Sequence, residues 1–321
     1  MSTAGLRLES LDVGGLRMRV AVQGEGPLVV LCHGFPESWR SWRSQLACLA
    51  AAGYRVAAPD MRGYGGTDAP ASPDVYTMLH HVGDMVGLVA ALGASQAVIV
   101  GHDWGAPAAW NSALLRPDVF RAVAGMSVPY APPARVDPLT ALEQYGIRTF
   151  YVQYFQAPGV AEAELGADPE ATIRRVTYSM SGDGPGRTVA GILPAGAGLL
   201  DMTVDPPALP AWMDADDLHA LAAEFRQTGF TGALNWYRAM RKTSELMAPW
   251  RGCAIRQPAL FIAGERDDVL KFPGMQARIE ALPAVLPGLR GTHILPGAGH
   301  WIQRERADAV NALLLGFLAG L

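Results

Sequence analysis

Asp103 stands between two glycines in VIVGHDWGA (98–106), where an apolar, strand-like run passes straight into a helical one. Such a Gly-x-Asp-x-Gly bend depends on its glycines. Without Cβ atoms the backbone turns tightly and pushes the middle side chain out above the strand end. A carboxylate held there is already ionised at neutral pH and is a weak but usable nucleophile. It suits displacement at saturated carbon, and the alkyl ester it forms can itself be hydrolysed. That second step needs a base. His300, in GAGHWIQRE (297–305), lies on a glycine-flanked loop that can reach across a site. The carboxylates of GERDD (264–268) directly follow the strand-like ALFIA. One of them, Asp267 or Asp268, is expected to orient the imidazole and stabilise its charged form. Position in the motif favours Asp267, which leaves Asp268 as a helix cap or solvated charge.

Hydrolysis of an ester also needs donors for the oxyanion. CHGFP (32–36) ends another buried run, so the backbone N–H groups of Phe35 and Trp104 are the expected oxyanion hole. His33 is expected to tie down that loop, since His300 already supplies the base. Two leaving groups fit attack by Asp103: halide, or the alkoxide of an opened epoxide. The alkoxide needs an acid, and a phenol of pKa about 10 can donate to it. TFYVQYFQ (149–156) and LNWYR (234–238) supply tyrosines, though on residue type alone a buried tyrosine is more often packing than catalysis. His80, His81, His219 and His293 lack the spacing of metal ligands and read as ordinary core or surface residues. His102 should point away from the nucleophile. No metal or organic cofactor is called for.

The elements that must hold these groups alternate. Leu16–Gln23 suits an early antiparallel strand or hairpin. Pro27–Cys32, Tyr54–Ala58, Ala97–Val100 and Val123–Met126 are short apolar runs of the kind buried on both faces of a parallel sheet. Helical stretches Trp42–Ala52, Thr77–Leu92 and Ala106–Leu115 lie between them. Prolines 129, 132, 133 and 138 then mark a boundary. Beyond it the pattern predicts helices at Thr140–Gln156, Asp168–Met180, Asp214–Thr228 and Gly232–Glu245, with a Gly/Pro-rich loop at Ser181–Pro210 and no apolar strand run before about Pro249. Strand-like Ala259–Ala263, helical Gln276–Leu282, the stretch Leu289–Leu295 and a terminal helix complete the chain. The expectation is an α/β core of residues 1–132 and 248–321, with a mostly parallel sheet and helices on both faces, and a helical lid of residues 133–247 over the carboxyl edge of the strands, where open α/β sheets bind ligands.

The bulk properties set outer bounds. Half of the 321 residues are hydrophobic and the net charge is −4. No basic tract suggests a nucleic-acid partner or a membrane surface. Three cysteines without CxxC spacing predict reduced, buried thiols and a cytoplasmic protein. The opening MSTAGLRLESLD lacks the apolar stretch of a secretion signal, and the apolar tail Ala309–Leu321 is too short to cross a bilayer. A monomer and a homodimer suit the sequence equally.

HGFPESW (33–39), RGYGGTD (62–68), GHDWGA (101–106), YFQAPGVAEAEL (154–165), LNWYR and GAGHWIQRE together resemble the soluble and microbial epoxide hydrolases of the α/β-hydrolase superfamily, from about Gly24 to Leu318. The order Asp103, Asp267, His300 matches that fold's order of nucleophile, acid and base. The resemblance implies an α/β-hydrolase fold and conversion of epoxides to vicinal diols. It implies that Tyr151 and Tyr237 are paired lid tyrosines, and that Phe35–Pro36 is a cis peptide. A small apolar epoxide and water are the implied substrates, in a pocket expected to include Phe35, Trp104, Trp236 and Met180. Haloalkane dehalogenase is the nearest rival, with Trp104 as a halide donor, but Phe35 offers no second side-chain donor. A non-catalytic ligand-binding protein of the same fold is the rival from another class.

Overall fold

The computed structural model describes residues 5–186 and 191–321. Eight strands form one sheet: β1 Arg7–Asp12, β2 Arg17–Gln23, β3 Leu28–Cys32, β4 Arg55–Pro59, β5 Ala97–His102, β6 Phe120–Met126, β7 Ala259–Gly264 and β8 Leu289–Leu295. Their order is β1-β2-β4-β3-β5-β6-β7-β8. β2 runs antiparallel to β1 and β4, and every pairing from β4 to β8 is parallel. All residues of β3, β5 and β7 are buried, as solid apolar runs require between two layers of helices. The sequence reading did not include β1. That strand lies at the sheet's edge and is half to fully exposed, so it carries no core signal.

Helices α1 Arg43–Ala51, α2 Met78–Ala91 and α3 Gly105–Leu115 connect the first strands. Between β6 and β7 come α4 Pro138–Gln144, α5 Tyr151–Tyr154, α6 Val160–Ala167, α7 Pro169–Ser179, α8 Ala215–Thr228, α9 Thr231–Arg238 and α10 Met240–Leu246. After β7 follow α11 Met275–Val285, α12 Ile302–Glu305 and α13 Ala307–Ala319. Apolar residues pack as one layer on each face of the sheet.

Three helical expectations change. The stretch Thr140–Gln156 is not one helix. Gly146 takes a left-handed conformation (φ 75°) after α4, and the backbone then runs extended to Phe150, which pairs with Ile192. Gly232–Glu245 divides at Ala239 into α9 and α10, and α6 was not foreseen. Part of the predicted loop 181–210, residues 187–190, lies outside the described residues, as do residues 1–4 of the N-terminus.

The segment between β6 and β7 is tied to the sheet by ion pairs. Arg19 of β2 sits between the buried Asp60 and Glu224 of α8. Arg43 Nη1 lies 2.6 Å from Asp217 of α8. Cys32 is buried, but Cys48 is half-buried and Cys253 exposed, because only the first lies on a central strand. Among the described residues no helix is long and apolar enough to cross a membrane.

Candidate active site

The bend after β5 sets the site. Asp103 has φ 50°, a left-handed conformation tolerated by aspartate but costly for most side chains. Gly101 and Gly105 make it possible: a Cβ on either would overlap backbone atoms, those of Gly105 or Cys32 respectively. Gly34 gives the same room on the opposing loop, where a Cβ would overlap the Asp103 carboxylate itself. The two carboxylate oxygens are therefore inequivalent. Oδ1 accepts the Phe35 N–H at 2.7 Å, and the Trp104 N–H lies close enough to favour the charged carboxylate. Oδ2 lies 3.6 Å from His300 Nε2. Burial raises the Asp103 pKa, against the opposing pull of His300, His102 and the two N–H groups. The Phe35–Pro36 bond is cis, and this turn brings the Phe35 N–H to Asp103.

His300 is buried behind Asp103. Its Nδ1 lies 3.0 Å from Asp267 Oδ1 and 2.9 Å from Ser127 Oγ. Burial alone would lower the imidazole pKa. The charge and hydrogen bond of Asp267, with the charge of Asp103, overcome it and raise the value to about 9. Asp267 moves the other way: burial pushes it up, but His300 brings it below the usual carboxylate range. Its Oδ1 also accepts the Val269 N–H at 2.9 Å. Asp268 instead accepts from Lys271 Nζ at 2.8 Å.

The His300 loop is braced from several sides. Glu305 accepts the N–H groups of Gly182, Gly299 and Trp301, and the His300 N–H donates to the Met180 carbonyl at 2.9 Å. Below it, His102 bridges the His300 carbonyl (2.8 Å) and Glu37 Oε2 (2.8 Å). Burial would raise the Glu37 pKa, but the neighbouring His102 brings it down to about 2. His33 Nε2 accepts the Met61 N–H at 3.0 Å and so ties down its loop.

Across the cavity stand two phenols. The Tyr151 and Tyr237 rings pack edge-on, with centroids 5.9 Å apart. The Tyr151 backbone is fixed by its N–H to the Gly191 carbonyl (2.8 Å), and the Tyr237 ring packs edge-on against Trp104. Burial and the Asp103 charge push both phenol pKa values up, Tyr237 opposing this only in part at Tyr151, so both stay protonated at neutral pH. Asp103, Tyr151 and Tyr237 line two connected spaces. One, of about 350 Å³, is also lined by Trp104, Trp236, Phe150 and Met240. The other, of about 50 Å³, holds Phe35, Met180, Leu199 and His300. Every residue singled out in the sequence thus lies in one site. Sequence reasoning missed Ser127, whose left-handed backbone (φ 67°) follows β6, and the links from Glu37 to His102 and from His102 to His300. It also read His81 as unremarkable, whereas its ring stacks on Trp236 at 3.4 Å.

Comparisons with known proteins show the family. Residues 27–185 match the alpha/beta hydrolase fold family model. "Epoxide hydrolase A" of Mycobacterium tuberculosis is 44% identical over 315 residues, 97% of each chain. The chain belongs to the epoxide hydrolases. "Epoxide hydrolase 1" of Siraitia grosvenorii is another such relative, 43% identical over 96% of this chain and 97% of its own. Among solved structures, an epoxide hydrolase from an endophytic Streptomyces superposes with a TM-score of 0.95, at 48% identity, over 99% of this chain and 96% of that one. The expected α/β-hydrolase fold is therefore the observed one.

The proton on His300 offers a direct check of the acid. Replacement Asp267→Asn should return the imidazole from about 9 toward its ordinary value near 6.5, read by NMR titration. Asp268→Asn should leave that titration in place.

Proposed function

We propose that this member of the family hydrolyses apolar epoxides to vicinal diols through an ester on Asp103. The observation that carries this reading is convergence on one carboxylate: the Phe35 N–H at Oδ1, an imidazole beside Oδ2, and two protonated phenols lining the same space. In this reading α4–α10 serve as the lid that supplies the phenols.

Oδ2 attacks a ring carbon, and the C–O bond of the epoxide breaks. The alkoxide oxygen takes a proton from Tyr151 or Tyr237, since an alkoxide is more basic than a phenolate. The ester discharges Asp103 and so removes one of the charges that hold the His300 pKa high. The imidazole then loses its proton more easily, and that proton, passed through solvent, restores the phenol. Neutral His300 takes a proton from water as the water oxygen attacks the Asp103 carbonyl carbon. Oδ1 carries the oxyanion, already held by the Phe35 N–H, with the Trp104 N–H as the second donor. The Cγ–Oδ2 bond breaks, the departing alkoxide takes the proton from His300, and the diol leaves. Asp103 keeps Oδ1 and the water oxygen, and returns its acid proton to His300. Asp267 holds the imidazole and balances its charge throughout.

A haloalkane would need donors for halide. Here the Trp104 side chain engages Tyr237, and Phe35 contributes only a backbone N–H beside Asp103 Oδ1.

The variant His300→Gln should accumulate the ester. After mixing with an epoxide, mass spectrometry of the intact protein should show a gain equal to the epoxide's mass, mapped to Asp103. An unchanged mass under conditions where binding is measured contradicts the mechanism. The tyrosines give a graded test. Tyr151→Phe or Tyr237→Phe alone should slow ring opening roughly 10²-fold, a typical loss of one general acid while its partner remains. The double variant should form almost no diol, and a double variant with wild-type rates removes the phenols from the reaction.

A further inference from the structure

Ser127 is the first residue past β6, and its backbone is left-handed (φ 67°). Among the described residues other than glycine, only Asp103 shares that conformation. The Val128 N–H donates to the Met126 carbonyl at 2.8 Å and closes a tight turn with Ser127 at its centre. With a positive φ this is the strained form of such a turn, and glycine adopts it more easily than serine. A serine held there points to a task for its side chain that glycine could not perform.

The turn is fixed to both strands that carry the site. The Asp103 N–H donates to the Met126 carbonyl (3.3 Å), and the Ser127 N–H donates to the Ile262 carbonyl of β7 (3.0 Å), the strand that leads to Asp267. Ser127 is fully buried, and its Oγ lies 2.9 Å from His300 Nδ1. Nδ1 thus has two oxygens in reach, this one and Asp267 Oδ1 at 3.0 Å. Its N–H goes best to the carboxylate, the stronger acceptor, which leaves the Ser127 O–H to find an acceptor of its own. Asp267 Oδ1 already accepts the Val269 N–H, while the buried Oδ2 has no hydrogen-bond partner among the described residues. The Ser127 hydroxyl is close enough to favour the charged form of Asp267.

We propose that Ser127 is a positioning residue for hydrolysis of the ester: its hydroxyl keeps the Asp267 carboxylate and the His300 ring in line, so that Nδ1 holds its proton and Nε2 is free to take one from water. This inference rests on the ester reading of Asp103 and adds a group that acts only through His300 and Asp267. Ring opening asks nothing of Nε2, so the hydroxyl should matter to decay of the ester and not to its formation.

The test follows the ester itself. Enzyme mixed with slightly less than one equivalent of epoxide is quenched at intervals, and intact-protein mass spectrometry gives the rates at which the ester forms and decays. Ser127→Gly removes the hydroxyl and relaxes the turn, whereas Ser127→Ala removes it and keeps the strain. In both, the ester should form at the wild-type rate and decay about tenfold more slowly, the effect of losing one hydrogen bond to a charged group. At steady state kcat and KM should then fall together. Ser127→Cys, a weak donor of similar size, should lie between wild type and Ser127→Ala. Titration of His300 in Ser127→Gly should move below about 9, because the hydroxyl no longer favours the Asp267 charge. A merely structural role would slow formation as much as decay, since the Asp103 N–H is bonded to the same turn. Equal slowing of both steps overturns the inference, as does decay at the wild-type rate in both hydroxyl-free variants, and either result leaves the ester reading intact. Absence of any ester in these proteins and in His300→Gln overturns that reading and this inference with it.

Discussion

The two oxygens of the Asp103 carboxylate differ in what surrounds them, and the chemistry of the site follows from that difference. Oδ1 is held by the backbone N–H of Phe35 from the opposing loop, while Oδ2 faces the imidazole. Backbone donors cannot rotate away, so the group that must carry negative charge in ester hydrolysis is met by dipoles already in place. The sheet exists, in this sense, to bring two strand ends together. β3 and β5 are hydrogen-bonded neighbours, and Cys32 pairs with Gly101, so the loops that begin at His33 and His102 face one another at the same height. A left-handed aspartate between glycines, and a glycine at position 34 opposite it, are the local cost of that approach.

Charge is arranged around the carboxylate in layers. Asp267 stabilises a protonated His300, Asp103 adds to that effect, and an ester on Asp103 removes the addition. The same event that makes a base necessary therefore makes His300 a readier base. Glu37 and His102 hold the far side of this arrangement. Their hydrogen bonds run from the turn that places the Phe35 N–H to the carbonyl of His300, so the proposed oxyanion donor and the proposed base share one buried frame. Buried polar groups of this kind are tolerated because each has partners, and each one fixes the position of the next.

Much of this was legible in the chain. Solid apolar runs located the central strands within a few residues, because strands buried on both faces have no polar face to blur the signal. Gly-x-Asp-x-Gly and the histidine on its glycine-flanked loop announced themselves through backbone requirements that few other sequences meet. Tyr151 and Tyr237 were marked by family motifs, since periodicity cannot separate a catalytic phenol from a packed one. Other features were hidden for physical reasons. β1 pairs along an exposed edge and buries too little to leave a pattern. The break near Gly146 depends on the tertiary pairing of Phe150 with Ile192. Ser127 and the Glu37–His102 pair act across 173 and 65 residues of chain, and local sequence carries no mark of such partners.

An ester on Asp103 makes one demand that direct attack by water does not. A single turnover in water enriched in ¹⁸O, with enzyme in excess, separates the two. The account predicts that the label enters the Asp103 carboxylate and that the diol from this turnover carries an oxygen from the protein. Label found in the diol, with none in the peptide containing Asp103, contradicts it.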